Sequence, residues 1–290
     1  LQPKLPQRTC FFDLQQGRGR KAEFSAYSPK ALSYFSKRFE LPVITDPAEL
    51  VHYDVVLFSL HSFRDFYRVG QLAKHKRRGQ EWVAGGNAVT TPTAVLWLMD
   101  YVFVGDAKAV FGDILRGARD LPGMINCKNV APVEYQDAPL DPEPIGKNEI
   151  AMSKGCPRRC LFCIHPWRTE YAEQDKALVL DFIKTRRSPG IGLGSNSSDD
   201  VSYYGEVSDL LNATGKTDMV ISNAVQGPTD DVIKDRKREM LLGVEGMSGF
   251  LRWVINKPIH RELLYEKMEK IFFYGKQVRT VYQFNLPGET

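Results

Sequence analysis

Short apolar runs alternate with longer amphipathic stretches along most of this chain. Asp54-Val55-Val56-Leu57-Phe58-Ser59 is brief, β-branched and apolar at successive positions, which predicts a strand covered on both faces in a parallel sheet. Trp82-Val83-Ala84 predicts a second strand, ending in Gly85-Gly86. Tyr101-Val102-Phe103-Val104 predicts a third, ending in Gly105-Asp106, and a helical stretch follows from Ala107 to Ala118. The spacing is that of βα units in an open α/β sheet. Ligands of such sheets lie beyond the carboxyl ends of the strands, so Ser59, Gly85, Gly86, Asn87 and Gly105 are placed at the binding edge.

The pattern then breaks and resumes. Residues 131–147 carry Pro132, Pro139, Pro142 and Pro144 among acidic residues. Proline fixes φ and removes backbone donors, so this stretch reads as an extended linker between a domain at 1–130 and another at 148–290. In the second half Glu149–Ser153, Gly190–Gly194, Met219–Ser222, Leu241–Val244 and Val281–Phe284 are strand candidates. Between them, His260 to Tyr274 has Leu263, Leu264, Met268, Ile271 and Phe272 at helical spacing. Thr229 before Asp230-Asp231 reads as a helix N-cap. Repeated βα units predict a second parallel sheet, curled into a partial barrel.

Composition narrows the class. The chain has 290 residues and is 43% hydrophobic, enough for two cores. Lys+Arg at 39 against Asp+Glu at 35 gives a formal charge of +4, too weak by itself to argue nucleic-acid binding. No stretch reaches the ~18 apolar residues of a membrane helix, and Leu1-Gln2-Pro3-Lys4 is no signal peptide. The first residue is Leu1, not Met, so the chain reads as trimmed or as numbered from an internal point. Five Cys, three of them clustered, read as reduced cytoplasmic cysteines rather than a disulfide framework.

That cluster, Cys156-Pro157-Arg158-Arg159-Cys160-Leu161-Phe162-Cys163, is a C-x₃-C-x₂-C run. Three thiolates on one short loop can hold three irons of a four-iron cluster and leave the fourth open for another ligand. The bland alternatives are zinc held by Cys156, Cys160, Cys163 and His165, or a non-catalytic iron–sulfur site. No second Cys pair follows, as it would in a zinc ribbon.

The run resembles the cluster loop of the radical S-adenosylmethionine (radical SAM) family, which follows the first strand of a partial (β/α)₆ barrel and often has an aromatic before the third Cys, here Phe162. The stretch Leu242-Gly243-Val244-Glu245-Gly246-Met247-Ser248 with Arg252 and Ile255-Asn256-Lys257 is similar to the family's fourth-strand region. Asn285-Leu286-Pro287-Gly288-Glu289-Thr290 is similar to its turn after the fifth strand, with Asn285 in place of Gly. The resemblance implies a [4Fe-4S] cluster on Cys156, Cys160 and Cys163. It also implies reductive cleavage of S-adenosyl-L-methionine to methionine and a 5′-deoxyadenosyl radical, fed by a flavodoxin or ferredoxin. By position it assigns the cofactor to Gly194, Ser195 and Asn196, Ser222 and Asn223, Glu245, Arg252 and Phe284. The family's Gly-Gly-Glu after the second strand is replaced here by Gly192-Leu193-Gly194-Ser195-Asn196. The barrel of this family has a sixth strand, so a chain stopping at Thr290 reads as a fragment or a short barrel.

The first half, with Gly85-Gly86 and Asp100-Tyr101-Val102-Phe103-Val104-Gly105-Asp106, resembles the Rossmann-like cobalamin domain that precedes many radical SAM barrels. The cobalt-ligating D-x-H-x-x-G motif is absent. The resemblance implies methyl transfer to an unactivated carbon. Without cobalamin, it implies rearrangement or another group transfer. Methylthiotransferases need three further cysteines in this domain, and only Cys10 and Cys127 lie outside the loop. His61 reads as a hydrogen-bonded structural residue. Lys74-His75-Lys76-Arg77-Arg78 reads as a solvated helix end, or as a phosphate contact if the substrate is a nucleic acid.

Overall fold

A computed structural model describes residues 8–14, 28–90, 92–142, 144, 148–218, 223–225, 233, 239–284 and 286. It divides the chain into two compact units, Leu1–Ala138 and Pro139–Thr290.

The first unit is built on strands β1 (Thr9–Phe12), β2 (Val43–Ile44), β3 (Val55–Ser59), β4 (Glu81–Gly85), β5 (Tyr101–Phe103) and β6 (Met124–Asn126). Helices α1 (Ser28–Arg38), α2 (Phe63–Leu72) and α3 (Phe111–Leu115) connect them. The sheet order is β2-β1-β3-β4-β5-β6, and β6 alone among these strands runs antiparallel. Alternate residues feed two cores. Cys10, Phe12, Val56, Phe58, Trp82 and Val102 face one side with Val69 and Leu72 of α2. Phe11, Leu57, Val83 and Phe103 face the other with Leu32 of α1 and Phe111 of α3. A sheet covered on both faces needs the near-continuous apolar strands seen in the sequence. Its order is the 2-1-3-4-5 doubly wound arrangement, whose switch point lies between β1 and β3, and it differs from the 3-2-1-4-5-6 order of a dinucleotide-binding Rossmann sheet.

The helix expected over 107–118 is broken. Asp106 caps a 3₁₀ turn at Ala107–Ala109 by accepting the Lys108 N–H at 3.0 Å. Val110 leaves helical geometry at φ −114, and α3 ends before Gly117 at φ +93.

Close backbone approach requires glycine at Gly86 and Gly105. Gly86 sits at φ +102, where a Cβ would lie 3.0 Å from the Leu60 nitrogen. Gly105 sits at φ +140 and forms a parallel bridge with Gln136. A Cβ there would land on the Gln136 carbonyl and lie 2.7 Å from its nitrogen. Gln136, within the proline-rich stretch, is thus bonded to the end of the first sheet. Gly105→Ala should therefore destabilise the first unit by about 3 kcal/mol, since both the φ and the contact forbid a side chain. A thermal melt unchanged from wild type would contradict this.

The second unit holds β7 (Glu149–Ala151), β8 (Ser153–Lys154), β9 (Ala172–Glu173), β10 (Gly190–Gly194), β11 (Thr217–Asp218), β12 (Asn223–Ala224), β13 (Glu239–Glu245) and β14 (Gln277–Tyr282). Its helices are α4 (His165–Arg168), α5 (Lys176–Thr185), α6 (Tyr204–Thr214), α7 (Gly249–Val254) and α8 (Arg261–Phe273). Two three-stranded parallel sheets, β11-β10-β7 and β12-β13-β14, are accompanied by the antiparallel pair β8-β9. One core draws on both sheets: Ile150, Ile191 and Leu193 with Met240, Leu242 and Val244, covered by Phe182, Val207 and Leu264 from the helices. The expected strand Met219–Ser222, the N-cap at Thr229, and residues Asn285 and 287–290 lie outside the described residues. No described helix is long and apolar enough to cross a membrane.

Candidate metal and cofactor site

The cysteine loop begins where β7 and β8 end. Gly155 turns the chain at φ +64, and a Cβ there would lie 2.6 Å from the Thr169 oxygen and 2.8 Å from that of Glu170. The loop therefore starts flush against residues 169–170, which only glycine permits. Cys160 is buried, and Cys156 and Cys163 are half-buried. The Cys163 N–H donates to the Cys160 carbonyl at 3.2 Å, and so does Trp167 Nε1–H at 3.2 Å.

Burial pushes the Cys156 and Cys160 thiols up, and the charges of the neighbouring thiolates add to this. Lys257 pulls Cys160 the other way. Three cysteines on one short loop have the donor chemistry of an iron–sulfur cluster, and in that sense the residues fit. Among the described residues, no group of three His, Cys, Asp or Glu side chains is already gathered to hold a metal ion.

Three tethers hold the loop in place. Arg158 forms a two-pronged pair with Asp200, Nε to Oδ2 and Nη2 to Oδ1 both at 2.6 Å, a geometry that fixes direction as well as distance. From the end of β10, Asn196 Nδ2 donates to the Gly155 carbonyl at 2.9 Å. From the turn after α7, the Ile255 carbonyl accepts the Leu161 N–H at 2.9 Å, and Asn256 Nδ2 donates to the Arg159 carbonyl at 2.7 Å.

The end of β13 carries a buried ion pair. Lys257 Nζ lies 3.0 Å from Glu245 Oε1, each side chain 10% exposed. Gln283 Nε2 donates to Glu245 Oε2 at 3.3 Å, and the Gln283 N–H to the Glu245 carbonyl at 2.8 Å. Glu245 itself sits at φ +65, a left-handed conformation that a non-glycine residue adopts only when its surroundings hold it. Gly243 leaves the space: a Cβ there would lie 2.7 Å from Glu245 Oε1 and 2.8 Å from Lys257 Nζ. Lys257 also stands 6.0 Å from the ring centre of Phe162, the aromatic before the third Cys.

The structure therefore sets Asn196, just after β10, against Gly155 at the head of the cysteine loop, and Lys257, the partner of Glu245, near Phe162 within it. Ser195 Oγ lies 2.6 Å from Ser153 Oγ, and the Gly194 carbonyl accepts the Met152 N–H at 2.7 Å. Arg252 is 4% exposed, and its Nε and Nη1 donate to the carbonyls of Ile259, Gly246 and Met247 at 2.8, 3.0 and 3.2 Å. Phe284 is 77% exposed beyond β14. Asn223 opens β12 opposite Leu242, and Ser222 lies outside the described residues. In the sequence, Asn256 and Lys257 stand out only as part of a motif, with no local pattern to mark their contacts with the loop and with Glu245.

In the first unit, Ser59, Gly85, Gly86 and Gly105 all stand at the carboxyl ends of β3, β4 and β5. Ser59 Oγ is 2.9 Å from His61 Nε2, while Asp65 accepts the backbone N–H groups of His61 and Ser62, both at 2.9 Å. Burial lowers the His61 pKa. A cavity of about 680 Å³ opens beyond β1 and β2, lined in part by Asp13, Thr45, Arg68 and His75. The basic run is divided: Lys74 and His75 line that cavity, whereas Lys76, Arg77 and Arg78 line another of about 530 Å³. There Lys76 pairs with Asp100 at 2.6 Å and Arg77 with Asp54 at 2.5 Å.

The likeness to known structures is one of fold. A mixed α/β chain with a six-stranded, mostly parallel sheet, followed by parallel βα units carrying a cysteine loop, has the architecture of a radical SAM enzyme structure. That structure is the cobalamin-dependent S-adenosylmethionine radical enzyme OxsB. With aqua-cobalamin and S-adenosylmethionine bound it matches at TM-score 0.65 and 12% identity over 94% of this chain. With aqua-cobalamin alone it matches at 0.65 and 10% over 96%, and in its apo form at 0.61 and 11% over 88%. The chain spans about half of these structures, 49%, 49% and 46% of their length. No protein-family model matches the sequence, and no curated protein matches it.

Proposed function

We propose that this chain works as a radical S-adenosylmethionine enzyme that transfers a methyl group to an unactivated carbon with the help of cobalamin. The observation that carries the reading is the C-x₃-C-x₂-C loop, tethered to the end of β10 and to the turn after α7, on a fold shared with OxsB. Cys156, Cys160 and Cys163 would ligate a [4Fe-4S] cluster. When bound, such a cluster supplies the electron that cleaves S-adenosylmethionine to methionine and a 5′-deoxyadenosyl radical.

The chain's own part is placement. Gly194, Ser195 and Asn196 offer carbonyls, a hydroxyl and an amide beside the loop. Glu245 offers a buried carboxylate neutralised by Lys257. The core beneath them, with Met152, Leu193 and Val244 almost wholly buried, supports a dry floor, which a radical reaction needs. A corrinoid would lie at the carboxyl edge of the first sheet, where doubly wound sheets bind ligands, beside the cavity that Asp13 and Thr45 help to line.

The test has two arms. Anaerobic reconstitution should give about four irons and four sulfides per chain, and added hydroxocobalamin should be retained with altered corrin absorption. Tight zinc in place of iron and sulfide would defeat the radical reading. Loss of all corrinoid on gel filtration would defeat the methyl transfer alone.

A further inference from the structure

We propose that Asn256 and Lys257 are positioning residues that latch the cysteine loop before any cluster arrives. The inference rests on the reading of that loop as a cluster site.

The geometry is specific. Between the first and last cysteines, the loop is held from outside by the turn that ends α7. Ile255 accepts the N–H of Leu161 at 2.9 Å, and Asn256 donates its side-chain amide to the carbonyl of Arg159 at 2.7 Å. These two contacts flank Cys160 on both sides. Asn256 sits at φ +55, a left-handed position that asparagine tolerates better than most residues, and that conformation aims the amide across 97 residues of sequence. Lys257 follows directly. Its ammonium is buried between Glu245 and the face of Phe162, so the latch is joined to the end of β13. The Lys257 backbone N–H donates to the Arg252 carbonyl at 2.8 Å, which accounts for the buried arginine one turn earlier: Arg252 braces the turn by holding the carbonyls of Gly246, Met247 and Ile259.

A latch of this kind lowers the entropy of gathering three thiols around a cluster, because the middle of the loop is already ordered. Lys257 does a second thing. A cation close to a cluster favours its reduced form, and the low polarity around a buried site strengthens the effect.

The test begins with metal-free protein and hydrogen exchange. Asn256→Gly keeps the left-handed backbone and deletes the amide; Asn256→Asp keeps the shape but cannot donate to a carbonyl. Both should speed exchange at residues 156–163 roughly tenfold, as expected for one lost hydrogen bond, with β10 and β13 unchanged. Unchanged exchange in the loop would overturn the latch. So would a uniform rise across the second unit, which would mean a general structural role. In reconstituted protein, both variants should lose iron to a chelator faster than wild type. Lys257→Met should move the cluster's reduction potential to a more negative value, and Lys257→Arg should restore most of it. A potential indifferent to Lys257→Met would remove the electrostatic part. A wild-type protein that takes up no cluster would sink the reading of the loop, while the exchange experiment would still decide the latch.

Discussion

Cys160→Ala abolishes assembly of a four-iron cluster, the iron content falling from about four per chain to near zero after the same reconstitution. Cys160 is the middle cysteine of the loop, and its side chain is buried. The substitution removes sulfur without disturbing the scaffold, because the Cys160 backbone carbonyl still accepts from Cys163 and Trp167. The metal-free variant should therefore melt within a few degrees of wild type. Cys10→Ala and Cys127→Ala are the matched controls. Burial pushes the Cys10 thiol up to about 12 and the Cys127 thiol up to about 11, so neither is poised as a thiolate, and both variants should load iron normally. Full iron and sulfide in Cys160→Ala would show that the ligand assignment is wrong.

The second large effect concerns the ion pair at the end of β13. Glu245 and Lys257 are each 10% exposed and 3.0 Å apart. Removing one partner strands a buried charge, at a cost of roughly 3–5 kcal/mol, whereas removing both costs much less. Lys257→Met should accordingly lower the melting temperature of the second unit by about 10 °C. The double variant Glu245→Gln/Lys257→Met should recover most of that loss. The cycle also tests the backbone argument, since Glu245 holds φ +65 with the help of Gln283 and Lys257. Strictly additive losses in the two single variants and the double would contradict the pairing.

These two sites differ in how readable they are. The cysteine spacing is local and carries its meaning in eight residues. The strands were readable for the same reason: Val55–Ser59, Gly190–Gly194 and Glu239–Glu245 form where apolar runs stand between glycines and polar breaks. The Glu245–Lys257 pair and the Asn256 latch were not readable. They depend on two left-handed, non-glycine residues and on a contact spanning 97 positions, and no local pattern encodes either.

Other differences have local causes. The last strand runs Gln277–Tyr282 rather than 281–284, because it is a half-exposed strand whose alternation of exposed and part-buried positions has little apolar content. The antiparallel pair β8-β9 is two residues long on each side, too short to leave a period. The basic run at 74–78 suggested phosphates. The carboxylates that meet Lys76 and Arg77, Asp100 and Asp54, lie more than twenty residues away in sequence, so their partnership was invisible until the sheet brought them together. Proline content dominates the neighbourhood of Gln136 and gives it the pattern of a linker, yet Gly105 leaves just enough room to receive its backbone.

The central claim is that the cysteine loop supports cleavage of S-adenosylmethionine. The direct measurement is the yield of 5′-deoxyadenosine after anaerobic reconstitution, reduction with dithionite and addition of S-adenosylmethionine. The account predicts 5′-deoxyadenosine and methionine in equal amounts, and neither from Cys160→Ala. A protein that carries its full iron and sulfide and yet yields no more 5′-deoxyadenosine than Cys160→Ala would contradict it.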